Sequence, residues 1–99
     1  MHDPLRPRAL HRLGLVYFDQ GNYDAALATL QSYLKDYPKS DECAGVTRDL
    51  GRVYEVGLGR YSDALKEYER ILMDYPDYAM LDDVRRDVQR VRALVKGSS

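Results

Sequence analysis

Most of what would announce chemistry is missing from this chain. It has one cysteine, Cys43, two histidines, one phenylalanine and no tryptophan. A lone thiol cannot close an internal disulfide, so no disulfide framework supports the fold and the redox compartment stays open. On a predicted helix Cys43 reads as a small buried thiol, with reactivity or an intermolecular bridge as the alternative. His11 has no cysteine or second histidine at ligand spacing, and His2 stands in the N-terminal tail, so neither suggests a metal site. Gly57-Leu58-Gly59 lacks the strand that precedes a dinucleotide-binding turn. Asp82-Asp83 falls in the first turn of a predicted helix, where the helix dipole accounts for paired acids. With no catalytic constellation left, the chain is expected to be non-catalytic and to need no cofactor or metal.

An excess of one charge is missing too. Fifteen Lys and Arg face sixteen Asp and Glu, a formal net charge of -1 at pH 7. No global field favours nucleic acid or an anionic membrane, and electrostatic recognition must be local. No apolar run approaches the roughly 20 residues of a membrane helix, so no direct membrane insertion is expected. Met1-His2-Asp3-Pro4-Leu5-Arg6-Pro7 also lacks the apolar core of a secretion signal. Cytoplasm is the default expectation, and periplasm the alternative for a domain drawn from a secreted parent. The length, 99 residues, suits one domain that buries about 65% of its unfolded surface.

What is present is tyrosine, nine of them, and a repeat. Leu13-Gly14, Tyr17, Gly21, Tyr23, Ala26, Leu30, Tyr33 and Pro38 return in order as Leu50-Gly51, Tyr54, Gly59, Tyr61, Ala64, Tyr68, Leu72 and Pro76. The offset is 37 residues at Leu13-Gly14 and 38 both from Tyr23 to Tyr61 and from Pro38 to Pro76, so one residue is inserted between Tyr54 and Tyr61. That places Val56-Gly57-Leu58-Gly59 in a turn.

Each marker has a physical task. Glycine inside a helix costs about 1 kcal/mol relative to alanine, so Gly14 and Gly51 imply a neighbouring helix too close for a side chain. Gly21 and Gly59 supply left-handed residues that end one helix, and Pro38 and Pro76 stop the next. Apolar spacing then predicts helix 1 over about 7 to 20 and helix 2 over about 23 to 36, the latter capped by Asn22. Ser40-Asp41-Glu42 reads as the start of helix 3, about 40 to 57 and longer than helix 1. Helix 4 follows over about 61 to 74 and helix 5 over about 78 to 96. Arg85-Arg86-Asp87-Val88 lies 38 residues beyond Thr47-Arg48-Asp49-Leu50, so helix 5 begins a third repeat. It carries Val88-Gln89 and Arg92 where the others have Leu-Gly and Tyr, as a solvating cap would.

In the order and spacing of these markers the chain resembles the tetratricopeptide repeat (TPR) family, over about residues 8 to 95. The resemblance implies an all-α fold: a right-handed superhelix of five antiparallel helices in a single domain, residues 1-99. Repeat 1 covers about 7-38, repeat 2 about 40-76, and a capping helix about 78-96. The Tyr-Pro ending, Lys39-Ser40 and a lengthened next helix look most like the bacterial TolA-binding and outer-membrane-assembly type of TPR, whose members carry secretion signals.

The resemblance also implies a concave groove lined by the first helix of each pair. Its residues here would be Arg8, His11, Arg12, Leu15 and Asp19, then Arg48, Asp49, Arg52 and Glu55, then Arg86, Asp87 and Arg90. Guanidinium groups suit carboxylates, so one reading is a groove for an acidic peptide or C-terminus. The other is that Asp49 and Asp87 pair with Arg on adjacent helices in a solvated ladder worth little. Leu15 and Asp49 stand where the family's carboxylate clamp needs asparagines, which argues against recognition of chaperone tails. Tyr17, Tyr23, Tyr54, Tyr61 and Tyr68 fall at core markers, whereas Tyr78 is the surface candidate.

Two functions follow, both non-enzymatic. One is an interaction scaffold that binds a partner protein or peptide in its groove. The other is an assembly module, a homo-oligomer joined through exposed ends of the stack, with Val91 on an outward apolar face of helix 5.

Overall fold

The structure, a computed structural model, describes residues 5–97. The expectation for His2 concerns a residue outside that span. Five helices follow one another: α1 (Leu5–Asp19), α2 (Tyr23–Asp36), α3 (Cys43–Arg52), α4 (Tyr61–Asp74) and α5 (Leu81–Gly97). A π-helical turn, Val53–Gly57, continues α3. Each helix packs on the next in sequential antiparallel pairs, and the thinnest dimension of the Cα trace, 17 Å, corresponds to two helix layers.

Two turns organise each pair, and both repeat. Gly21 has φ +76 and Gly59 φ +64, the left-handed conformation that glycine adopts without steric cost. Asn22 Oδ1 then accepts from the Ala25 N–H at 3.4 Å and caps α2. At the other end, Tyr37 and Tyr75 have nearly the same geometry, φ -128 ψ 56 and φ -129 ψ 62. Each precedes a proline, which disfavours the helical region for the residue before it. Ser40 N–H donates to the Tyr37 carbonyl and Tyr78 N–H to the Tyr75 carbonyl, both at 3.1 Å.

Those closing turns delay the helices that follow. α3 starts at Cys43, with Glu42 before it making no side-chain cap. Ser40 is not the cap: its hydroxyl is engaged with Tyr33 Oη at 2.5 Å and accepts from the Glu42 N–H at 3.1 Å. α3 with its π turn is therefore no longer than α1. α5 likewise begins at Leu81 because Tyr78 belongs to the preceding turn.

The helical glycines sit where α-carbons must approach. A methyl group on Gly14 would lie 2.5 Å from Leu30 Cδ2, and one on Gly51 would collide with the Tyr68 ring. Leu30 and Tyr68 occupy the same register of α2 and α4 and are fully buried. Two core clusters result. Leu27, Leu30, Tyr33, Val46, Leu50 and Val53 form one, and Tyr68, Ile71, Val84, Val88 and Val91 the centre of the other. Each such side chain contributes about 1.5–3 kcal/mol by leaving water. The register partner of Tyr33 is Ile71, fully buried, whereas Leu72 is half-buried. Val91 lies in this core under α4 rather than on an outward face, and Tyr78 packs against the second cluster. Cys43 is buried and its Sγ–H donates to the Tyr37 carbonyl at 3.1 Å.

The inserted residue is absorbed in the π turn. Leu58 N–H donates to the Val53 carbonyl at 3.0 Å, one residue wider than an α-helical bond. Gly57 is more than a turn residue, since a methyl there would come within 2.6 Å of the Tyr23 ring.

Candidate functional site

Successive first helices leave clefts between them, and the charged residues of α1, α3 and α5 line these. Between α3, its π turn and α5 is a cleft of about 300 Å³ walled by Arg48, Arg52, Glu55, Val56, Asp87 and Arg90. Between α1 and α3 is a second of about 220 Å³, walled by Leu15, Phe18, Asp19, Asp49 and Arg52. Arg52 borders both.

Most charges in these walls are already engaged. Arg90 forks onto Glu55, Nε to Oε2 and Nη2 to Oε1, both at 2.8 Å, and Nη2 also reaches Asp87 Oδ1 at 3.0 Å. Arg48 Nε donates to Asp87 Oδ2 at 2.8 Å. Beneath them the buried Tyr68 hydroxyl donates to Glu55 Oε1 at 2.9 Å. The chain Arg48–Asp87–Arg90–Glu55–Tyr68 thus ties α3, the π turn, α4 and α5 together. Its acids are mostly buried while Arg90 is half-exposed. The Arg90 hydrogen bonds hold the Glu55 carboxyl below the usual carboxylate range against the opposing effect of burial. Glu55, then Asp87, raises Arg90 in turn. Burial, then Glu55, pushes the Tyr68 phenol up.

A second tie joins α1 to α3. His11 Nε2 is 2.6 Å from Asp49 Oδ2, and Nδ1 is 3.3 Å from Glu42 Oε1. Its ring meets that of Tyr33 edge-on, with centroids 5.9 Å apart. An ionised carboxylate only accepts, so both contacts are satisfied together when both ring nitrogens carry protons, as in imidazolium. The Asp49 hydrogen bond accordingly raises the His11 pKa above 6.5, despite desolvation.

The residues expected to share one groove are therefore divided. Arg48, Arg52, Glu55 and Arg90 meet in one cleft, and Leu15, Asp49 and Arg52 in the other. His11 is committed to Asp49 and Glu42. Arg86 pairs within its own helix with Asp83 at 2.8 Å and walls neither cleft. Arg12 also walls neither. Arg8 borders a different hollow, of about 830 Å³, against Pro7 and the turn from Asp36 to Glu42. Sequence reasoning missed Val56 and Phe18, whose signal was the marker register itself, and Glu42, which it read only as a helix-start acid. It also missed Tyr68 as the floor of the ladder. Among the described residues no group of three His, Cys, Asp or Glu is placed to hold a metal ion.

Comparison with known proteins bears on the same segments. Residues 5–73 match the family model described as tetratricopeptide repeat. No curated protein matches the chain. The matched span takes in the first glycine-centred helix pair with its closing turn and the second pair to within a residue of the end of α4, and the chain belongs to the tetratricopeptide repeat family.

Proposed function

We propose that this chain is a non-catalytic interaction module that holds a carboxylate-bearing segment of a partner protein along the clefts between α1, α3 and α5. The family supports protein partners in general. Arg52 carries the specific reading. It is exposed, has no ion-pair partner among the described residues, and stands between the two clefts. Its neighbours Arg48 and Arg90 are paired with acids. The Arg52 charge is felt by Glu55 but no acid among the described residues holds it at ion-pair distance, and a guanidinium so placed in a fixed frame favours a planar anionic group, which bidentate pairing reads best. Arg12, exposed and likewise unpaired, extends the positive edge along α1.

In this reading the repeats at about 7-38 and 40-76 and the capping helix at about 78-96 act as one unit. Among the described residues no helix is long and apolar enough to cross a membrane. The Tyr-Pro repeat ending extends the proposal to a module of the bacterial TolA-binding or outer-membrane-assembly type, which would work in the periplasm.

The test is capture of partners by the whole chain at low salt, followed by titration with synthetic peptides covering their acidic segments. Arg52→Glu should weaken peptide binding at least tenfold, about 1.4 kcal/mol, with an unchanged melting temperature. Raised salt should weaken the parent complex, because the contact is exposed. Unaltered binding by Arg52→Glu at low salt would remove the proposal.

A further inference from the structure

The first helices of this chain carry one apolar row in common, and two of the three copies of it are covered. In α3 the row is Val46, Leu50 and Val53, at most 2% exposed in the core shared with α2. In α5 it is Val84, Val88 and Val91, buried against α4. The same register in α1, 37 residues before the α3 row, holds Ala9, Leu13 and Val16. There Leu13 and Val16 are each 42% exposed. α2 packs on another face of α1, where Leu30 meets Gly14, and leaves this row open.

The far end of the stack offers no matching surface. Thr47, Gly51 and Tyr54 are the positions of α3 that face α4, and their equivalents in α5 are Arg85, Gln89 and Arg92, all exposed. A cap of this polarity does not accept an apolar helix, so copies stacked head to tail would leave the α1 row in contact with guanidinium groups.

We propose that the α1 row is the interface with a second copy of this chain, the two α1 helices packed antiparallel about a two-fold axis. With that symmetry every contact is made twice. Leu13 meets Val16 of the second copy, and the reciprocal contact closes the pair. Arg12 and Asp19 lie two turns apart on one flank of the row, and neither has an ion-pair partner among the described residues. Antiparallel packing about the two-fold keeps this flank facing itself and sets Arg12 beside Asp19 of the second copy on both sides of the axis, whereas parallel packing would turn the flank away from its counterpart and leave the two residues apart. A helix pair about 22 Å long buries less than the roughly 1,600 Å² of a standard interface, so the dimer is a concentration-dependent equilibrium.

Sedimentation equilibrium of the whole chain between about 10 μM and 1 mM tests this. The mass should rise from 11.4 kDa toward twice that value. Leu13→Glu and, separately, Val16→Lys should hold it at the monomer with unchanged helical circular dichroism. Arg12→Asp should weaken the dimer, and adding Asp19→Arg should restore it. A monomer at every concentration overturns the proposal. So does a mass that climbs past the dimer, which means open stacking, or a dimer indifferent to both apolar substitutions. Leu13 and Val16 wall neither cleft, so the outcome of those two substitutions is separate from failure of the groove reading, which turns on Arg52.

Discussion

His11 Nε2 lies 2.6 Å from Asp49 Oδ2, joining the first helices of the two repeats across 38 residues of sequence. Glu42 faces the other ring nitrogen and the Tyr33 ring packs edge-on, so the imidazole is held from α2, α3 and the turn before α3.

That contact makes stability depend on pH. The folded pKa of His11 is raised, chiefly by the Asp49 hydrogen bond. A raised basic group contributes fully below its unfolded value of 6.5 and loses the contribution as pH rises through the folded value. The melting temperature should therefore fall as pH is raised from 6.5 into the mildly alkaline range. His11→Gln should flatten that slope while leaving any carboxylate-driven loss below pH 4 in place. An equally steep slope in the variant assigns the effect to another group.

The two helical glycines should not respond alike to alanine. Ala gains about 1 kcal/mol of helix propensity at either site. At Gly14 the obstacles are Cδ2 and Cγ of Leu30, a flexible side chain, whereas at Gly51 they are atoms of the rigid Tyr68 ring, and both side chains are fully buried. Gly51→Ala is expected to lose about 1–3 kcal/mol and Gly14→Ala to lose less, because Leu30 can shift where the ring cannot. Leucine at either site should loosen the fold outright. Chemical denaturation compares the pair, and the reverse ranking would mean that α1 and α2, not α3 and α4, make the tighter contact.

Glu67 is a liability in α4. Its Oε1 is buried without a hydrogen bond, and Arg70 Nη1 stands 3.4 Å off at ion-pair distance only. Burial pushes the Glu67 carboxyl up, so folding with it charged is unfavourable. Glu67→Met should stabilise the chain at pH 7 by on the order of 1 kcal/mol. The gain should shrink as pH falls toward 4.5, where the carboxyl takes up a proton in both states. A loss of stability at neutral pH would show that the Arg70 contact outweighs desolvation.

Arg90 and Arg86 are adjacent turns of one helix with opposite roles. Arg90 holds Glu55 over the buried Tyr68 hydroxyl, and Arg86 reaches only Asp83 within α5. Arg86→Ala should change stability by less than about 0.5 kcal/mol. Arg90→Ala should cost more, because Glu55 is then left mostly buried without its ion-pair partner and Asp87 keeps Arg48 alone. A double-mutant cycle with Glu55→Gln should give clear coupling for Arg90 and none for Arg86.

The helix pairs were legible because their markers act locally. A left-handed Gly21, a proline after Tyr37 or a glycine under Leu30 imposes geometry whatever surrounds it. Contacts closed over distance were not legible. Arg48 finds Asp87 and Arg90 finds Glu55 across 39 and 35 residues, and nothing in an Arg-Asp motif says which acid it will meet. Val91 was misread because α5 alone offers apolar residues on more than one face, and only the packing of α4 decides that Val91 goes inside and Leu94 stays out. Ser40 was misread because its hydroxyl had a nearer claimant in Tyr33.

An extra residue within an α-helix would turn everything beyond it by about 100°. Here the surplus between Tyr54 and Arg60 stops in the wide turn, for Arg60 N–H still donates to the Tyr54 carbonyl at 2.8 Å as Asn22 N–H does to that of Tyr17 at 2.9 Å. α4 and α5 are thus insulated from the length of the hairpin before them. Repeat length in this chain is a free variable at one place, and the angular phase between successive clefts is not.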